Sequence, residues 1–142
     1  MKRIIILSVL IALGYIVYSG VINPESTNPS HLVGLYQDEK GLDVEGFNKK
    51  VSESSKVVLV YFKASWCVPC IKLKPEMAEL EGETKDYCEI LSIDVDDNPK
   101  VAEHFEINTL PMFMVFKNGK RMWENVGSLS KTQLKSRIDL YK

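Results

Sequence analysis

Two cysteines separated by two residues, Cys67 and Cys70, are the side chains of this sequence best suited to chemistry. They follow an apolar run at 57–62 and begin a helical pattern that continues to about Glu83. The unpaired N–H groups and partial positive charge of a helix N-terminus favour the thiolate form of Cys67, and Cys70 can hydrogen-bond to it. We therefore expect Cys67 to attack disulfides and Cys70, the more buried sulfur, to resolve the mixed disulfide that forms.

Other uses of this cysteine pair are a permanent disulfide or half of a zinc site. A structural zinc site needs about four ligands at suitable spacing. Besides the pair, the sequence offers only Cys88, His31 and His104 as soft ligands, and they are widely separated. We therefore expect no metal site. Cys88 begins a predicted strand, where a cysteine is more often a small buried hydrophobe than a third redox centre.

The elements that position the pair alternate between helix and strand. The run at 57–62 is β-branched and aromatic throughout, which is typical of a strand buried on both faces. Asn118-Gly119 is a strong hairpin signal, and Ser130 is a plausible cap of a last helix. The predicted order is a helix at 44–54, a strand at 57–62, the helix from the cysteine pair to about 83, a strand at 88–96, a helix at 101–105, strands at 112–116 and 121–126, and a helix after 130. This order predicts an α/β fold in a single domain, with a mixed central sheet and helices on both faces.

Length and charge narrow the possible functions. The chain has 142 residues with 18 Lys+Arg against 19 Asp+Glu, so its formal net charge is −1. This length suits one domain, and the balanced charge provides no basic field for a phosphate backbone. We therefore expect no nucleic-acid partner.

The N-terminal region has a different composition from the rest. Lys2 and Arg3 precede an almost uninterrupted apolar stretch at 4–17, as in a secretory signal peptide. With residues up to 22 included, the stretch is long enough for an uncleaved membrane anchor, and both interpretations place the following chain outside the cytoplasm. A buried core helix is the third interpretation and the least favoured. We assign 1–22 to a signal peptide or anchor, 23–40 to a turn-rich tether, and 41–142 to the folded domain.

Several separated segments resemble the thioredoxin family. They are Ala64-Ser65-Trp66-Cys67-Val68-Pro69-Cys70, Pro75, Asp96-Asp97-Asn98-Pro99, Thr109-Leu110-Pro111, Phe116-Lys117-Asn118-Gly119-Lys120, and Val126-Gly127 before Leu129-Ser130-Lys131. The resemblance covers about residues 40–142 and implies a thioredoxin fold and a thiol–disulfide oxidoreductase without a bound cofactor. It also implies that Pro111 is a cis-proline facing the sulfurs and that Leu110 offers its backbone to an extended substrate. The docking surface that it implies consists of Trp66, Val68, Val126 and Gly127.

The sequence departs from the family beneath the cysteine pair. Members of the family commonly hold a buried aspartate in the strand before the active site, paired with a lysine on the next strand. Tyr61 and Ser92 occupy those positions here. Because neither side chain is a base at neutral pH, Cys70 must pass its proton to water, to the Cys67 thiolate, or to another group such as Asp94.

These observations together predict an exported or membrane-anchored oxidoreductase. Its substrates would be proteins with disulfides or thiols, and a membrane redox partner would supply or accept electrons because soluble NADPH is confined to the cytoplasm. We expect a monomer. The alternative is a redox-inert binding or chaperone-like module, in which the apolar rim grips unfolded chains and the cysteines stay closed.

Overall fold

A computed structural model describes residues 38–142, and the helices and strands in it alternate along most of the chain. The elements are β1 (Asp38–Glu39), α1 (Val44–Glu53), β2 (Val57–Lys63), α2 (Val68–Thr84), β3 (Cys88–Asp94), α3 (Pro99–His104), β4 (Met112–Lys117), β5 (Lys120–Val126) and α4 (Lys131–Asp139). The predicted signal peptide or anchor at 1–22 lies outside the described residues, as does most of the predicted tether. Within residues 38–142, no helix is both long and apolar enough to cross a membrane.

The sheet is mixed, as the sequence predicts. Its strand order is β1-β3-β2-β4-β5; β1 and β2 run parallel to β3, whereas β4 runs antiparallel to both β2 and β5. The central strand β2 is buried from Val57 to Phe62. Pairing of β2 with β3 extends from Val57 opposite Cys88 to Lys63 opposite Asp94, so the carboxyl ends of both strands reach the same edge of the sheet.

Alternating residues of β2 enter two separate hydrophobic clusters. Leu59 and Tyr61 belong to the cluster beneath α2 and α4, whereas Val60 and Phe62 belong to the one that contains Phe47 of α1. A strand presents successive side chains to opposite faces, so a sheet between two helical layers needs apolar residues at every position. Each large side chain that is fully buried contributes about 1.5–3 kcal/mol to this core.

Local signals fix the ends of the elements where the sequence predicts them. The Asp43 carboxylate accepts the Gly46 N–H at 2.8 Å and caps α1. Ser130 and Gln133 form a reciprocal capping box at the start of α4. Asn118 and Gly119 both have positive φ angles, 52° and 75°, as the tight β4–β5 turn requires.

The structure differs from the sequence prediction at the start of the domain. Asp38 and Glu39, which fall in the predicted tether, pair with β3 as an edge strand. A strand of two residues is too short to show the alternation that reveals strands in a sequence. The buried Asn98 links this segment to the end of β3, because its Nδ2 donates to the Glu39 carbonyl at 2.6 Å and its Oδ1 accepts the Leu42 N–H at 2.7 Å.

Candidate active site

Cys67 and Cys70 form a disulfide at the N-terminus of α2, with an S–S distance of 2.07 Å. Cys67 is the N-cap residue, and its sulfur accepts the Cys70 N–H at 3.3 Å. Pro69 lies in the first turn, where its missing N–H costs no helical hydrogen bond. The carboxyl end of β2 thus delivers the pair directly to the positive end of a helix, which is the placement predicted from the sequence.

Cys67 and Cys70 are buried to a similar degree but line different cavities. Cys67 is 5% exposed and Cys70 is 4% exposed, so Cys70 is the more buried of the two, as predicted, but only slightly. Cys67 lines an open groove of about 530 Å³ together with Trp66, Val68 and Leu110. Cys70 instead lines a smaller cavity of about 250 Å³. The two cysteines therefore line two different cavities.

Trp66 forms one wall of the groove and is held by a carboxylate. Its indole Nε1 donates to Asp96 Oδ2 at 2.9 Å, although the side chain remains 65% exposed. Val68, also exposed, follows on the same rim. No role for Asp96 was predicted from the sequence. The signal that could have revealed its contact with Trp66 is its position just after β3, at the edge of the sheet where β2 also ends.

Pro111 lies just before β4 and is hydrogen-bonded to the chain that leaves β5. The Leu110–Pro111 peptide bond is cis, and Leu110 lines the groove with Cys67. The Gly127 N–H donates to the Pro111 carbonyl at 2.8 Å, and Val126 pairs with Met112 at the start of β4. Leu110 thus belongs to the Cys67 groove, whereas Val126 and Gly127 adjoin Pro111 without lining the groove itself.

Tyr61 and Ser92 lie opposite each other on β2 and β3, beneath the disulfide. The Tyr61 hydroxyl donates to the Cys70 carbonyl at 3.3 Å, and its ring stacks on Phe113 with centroids 5.0 Å apart. Burial, and to a lesser extent the Asp38 carboxylate, raises the pKa of Tyr61 far above its ordinary value. Tyr61 therefore stays protonated and supports the α2 N-terminus as a hydrogen-bond donor, but it is no base for Cys70.

Cys88 lies at the other end of the sheet from the disulfide. It is the first residue of β3, is 2% exposed and is not bonded to either of the other cysteines. Burial is the main cause that raises the pKa of its thiol to about 12. Within residues 38–142, no group of three or more His, Cys, Asp or Glu side chains is arranged to hold a metal ion.

A redox disulfide between a buried strand and a helix N-terminus, on a mixed sheet covered by two helical layers, defines a thiol–disulfide oxidoreductase. The family model described as Thioredoxin matches residues 39–140. This match covers more than half of the chain, so the protein belongs to the thioredoxin family.

Similar proteins and structures agree with this assignment. Thioredoxin 1 of Synechococcus elongatus is 38% identical over 93 residues, which cover 66% of this chain and 87% of that protein. Thioredoxin M-type from the chloroplast of Chlamydomonas reinhardtii is 33% identical over 113 residues, covering 80% of this chain and 81% of that protein. A mutant thioredoxin from Halobacterium salinarum superposes with a TM-score of 0.64 at 30% identity, covering 73% of this chain and 88% of that one.

Proposed function

We propose that this protein exchanges disulfides of other proteins outside the cytoplasm, with Cys67 as the nucleophile and Cys70 as the resolving cysteine. The observation that carries the proposal is the Cys67–Cys70 disulfide at the start of α2, with Cys67 open to the groove beside Trp66. The extracytoplasmic location rests on the sequence alone, namely on Lys2 and Arg3 before the apolar stretch at 4–17.

Reduction of a substrate begins from the dithiol form. The Cys67 thiolate attacks one sulfur of the substrate disulfide, forms a mixed disulfide, and releases the other substrate sulfur as a thiolate. Cys70 then attacks Cys67 Sγ, which breaks the mixed disulfide and releases the second substrate thiol. Two electrons pass from the cysteine pair to the substrate, and the pair ends as the disulfide. The reverse sequence oxidises a substrate dithiol.

The substrate would approach Cys67 as an extended segment along the groove. Leu110 lines the groove together with Trp66 and Val68, and its backbone would pair with such a segment. Val126 is 56% exposed and extends the apolar surface beyond Pro111. A shallow surface of this kind suits brief contact with many different protein substrates.

Turnover outside the cytoplasm requires a membrane redox partner, because soluble NADPH is not available there. The protein would work as a monomer that meets substrate and partner in turn at the same sulfur. The reduction potential of the pair decides its direction: equilibration with glutathione would give about −270 mV for a reductant and about −120 mV for a strong oxidant.

The decisive experiment is insulin reduction with dithiothreitol. The full chain should accelerate precipitation of the insulin B chain, Cys67→Ser should abolish the acceleration, and Cys88→Ser should retain it. Activity that survives Cys67→Ser would refute the mechanism. Comparing the intact mass of the protein from membrane and soluble fractions tests both the export and the fate of residues 1–22.

A redox-inert binding module is the second candidate, and one observation favours it. Trp66, Val68 and Val126 are each more than half exposed, an apolar surface that unfolded chains would also contact. In that case Cys67→Ser should suppress aggregation of an unfolding client as well as the parent protein does. Loss of insulin reduction together with unchanged aggregation suppression would separate the two activities.

A further inference from the structure

An ion pair lies at the carboxyl edge of the sheet, beside the cavity that Cys70 lines. Lys63, the last residue of β2, is in register with Asp94, the last residue of β3, and Lys63 Nζ lies 3.8 Å from Asp94 Oδ2. Lys63 Nζ also donates to Asp38 Oδ2 at 3.0 Å. The pair lies two residues beyond Tyr61 and Ser92, and therefore on the same face of the sheet as they do.

The charges of this pair are arranged differently from those that the family resemblance implies. The usual buried pair has its carboxylate on the strand that precedes the active site and its lysine on the next strand. Here Lys63 is on β2 and Asp94 is on β3. Both lie two residues nearer to the carboxyl ends of their strands than the usual positions do. The positions of the usual pair hold neutral side chains, and the charged pair lies two residues further along the same two strands.

A cavity connects Lys63 with Cys70. The residues that line it include Cys70, Tyr61, Lys63, Ser65 and Lys74, and its volume is about 250 Å³. This volume accommodates several water molecules, each of which occupies about 30 Å³ in the liquid. Water in the cavity can carry a proton between Cys70 and the groups at the Lys63 end.

Besides Cys70, the ionisable side chains that line the cavity are donors; Asp94 does not line the cavity itself and meets it through Lys63. Lys63 and Lys74 are ammonium donors, and burial raises the pKa of Tyr61 so far that its hydroxyl stays protonated. Of the two carboxylates at Lys63, the Asp38 side chain is 39% exposed and the Asp94 side chain is 12% exposed.

Asp94 is also fixed in orientation. Its Oδ1 accepts the Asp96 N–H at 3.1 Å, which leaves Oδ2 directed at Lys63, and Asn98 Nδ2 donates to its backbone carbonyl at 2.9 Å. A carboxylate held in this way by backbone and ammonium has little freedom to turn away from the cavity end of Lys63.

We propose that Asp94 accepts the Cys70 proton through water in this cavity during the resolving step, with Lys63 as the positioning residue that holds the carboxylate. The inference rests on the function proposed above. The proton leaves Cys70 Sγ for the Asp94 carboxylate, and the Cys70 thiolate attacks Cys67 Sγ. The Cys67–Cys70 bond forms, the bond to the substrate sulfur breaks, and the substrate leaves as a thiolate. Asp94 afterwards returns the proton to bulk water.

Ellman's reagent separates the two steps in the full-length reduced protein. Attack by Cys67 releases one thionitrobenzoate at a rate proportional to reagent concentration, and attack by Cys70 releases the second at a rate independent of it. In Asp94→Asn the second release at pH 7 should slow at least about tenfold, because the general base is lost. It should then rise with pH in proportion to hydroxide and recover when imidazole is added. The first release should not change.

Matched variants distinguish proton transfer from structural damage. Asp97→Asn removes an exposed carboxylate three residues away and should leave both releases at parental rates. Lys63→Met should slow the second release as Asp94→Asn does, whereas Lys63→Arg should preserve it. If Asp94→Asn does not fold, the difference in the second release between Lys63→Met and Lys63→Arg tests the proposal instead.

Each result bears on one proposal only. A second release at the parental rate in Asp94→Asn, with the first release intact, would overturn the role of Asp94. Equal rates in Lys63→Met and Lys63→Arg would overturn the role of Lys63. Absence of the first release from the parent protein would instead refute the exchange function itself.

Discussion

The two ends of the central sheet contain cysteines of opposite character. At the carboxyl end, Cys67 follows β2, caps α2 and opens into a groove. At the amino end, Cys88 begins β3 and is enclosed on all sides. A helix N-terminus and access to a groove favour reactivity at Cys67. At Cys88, burial raises the pKa of the thiol more than the hydrogen bonds to Leu59 and Thr84 and the charge of Lys56 lower it, so that thiol is inert.

The polar groups at the two ends differ in the same way. Near Cys88, the Tyr87 hydroxyl donates to Asp139 at 2.7 Å, and Asp139 also pairs with Lys135 and Lys142. These contacts tie the end of α4 to the start of β3. At the carboxyl end, Trp66 and its neighbours stay exposed. The amino end therefore serves stability, and the carboxyl end serves exchange.

The largest expected effect is on thiol reactivity. Because burial raises the pKa of Cys88 to about 12, its thiolate fraction at pH 8 falls about a thousandfold below that of an unperturbed cysteine. Iodoacetamide should therefore label Cys67 of the reduced native protein rapidly and Cys88 at least about a thousandfold more slowly than an unfolded cysteine. Peptide mass spectrometry over time measures both rates.

Denaturant provides the control for this contrast. In guanidinium chloride the folded environments disappear, so Cys67 and Cys88 should label at similar rates. Native labelling of Cys88 within tenfold of its rate in denaturant would mean that the amino end of the sheet opens readily, and the comparison between the two ends would fail.

The second-largest expected effect is on substrate docking at Trp66, which forms a wall of the groove. Removing the indole in Trp66→Ala should lower kcat/KM for insulin reduction roughly tenfold, mainly through KM, because the docking area shrinks while the sulfurs remain. Asp96→Ala should give a smaller loss, since it frees the indole without removing it. With Trp123→Phe as background, Trp66 is the sole tryptophan, and its fluorescence should change in Asp96→Ala.

A matched change outside the Cys67 groove sharpens this prediction. Trp123→Ala removes the second tryptophan, which lies on β5 away from the Cys67 groove, and should leave KM unchanged. An equal rise of KM in Trp66→Ala and Trp123→Ala would argue against a docking role that is specific to the groove.

The fold was largely predictable because its strongest signals are local. The buried run of β2, the Asn118-Gly119 turn and the Ser130 cap each depend on a few neighbouring residues, and each is confirmed. The cysteine pair was predictable for the same reason. Its position between a strand and a helix is visible in the sequence.

What the sequence did not reveal depends on register between distant segments. The contact of Trp66 with Asp96, and the pair of Lys63 with Asp94, exist because β2 and β3 align residue for residue. A shift of one residue would turn Asp94 to the opposite face of the sheet. Strand β1 was missed because its two residues are held by pairing with β3 rather than by any pattern of their own.

A third prediction tests whether Cys88 acts only through packing. Cys88→Ala removes one buried sulfur and should lower the free energy of unfolding by about 1 kcal/mol, as a small cavity does. Insulin reduction should be unchanged. Guanidinium titration measures the first quantity, and a loss of turnover in the folded variant would show that Cys88 takes part in exchange.

The smallest effect is expected from the ionic contacts at the amino end. The hydrogen bonds from Lys135, then Lys142 and Tyr87, hold the pKa of Asp139 well below its usual range. A carboxyl group whose pKa is depressed in the folded state adds stability above its unfolded pKa of about 4, and this stability is lost as the pH falls below that value. Because Asp139 and Lys135 are each 34% exposed, solvent and salt screen the pair and the contribution should be small.

Asp139→Asn should accordingly destabilise the protein slightly at pH 7 and progressively less between pH 4 and pH 2, as the parent protein loses the same interaction by protonation. Urea unfolding at several pH values measures the difference, and added salt at pH 7 should reduce it. Asp86→Asn, next to Tyr87 on the exposed turn, is the matched control and should show no such pH dependence. A contrary result is a free energy of unfolding that differs between parent and Asp139→Asn by the same amount at pH 2 as at pH 7. That result would mean that the side chain acts through packing and that its charge does not stabilise the amino end.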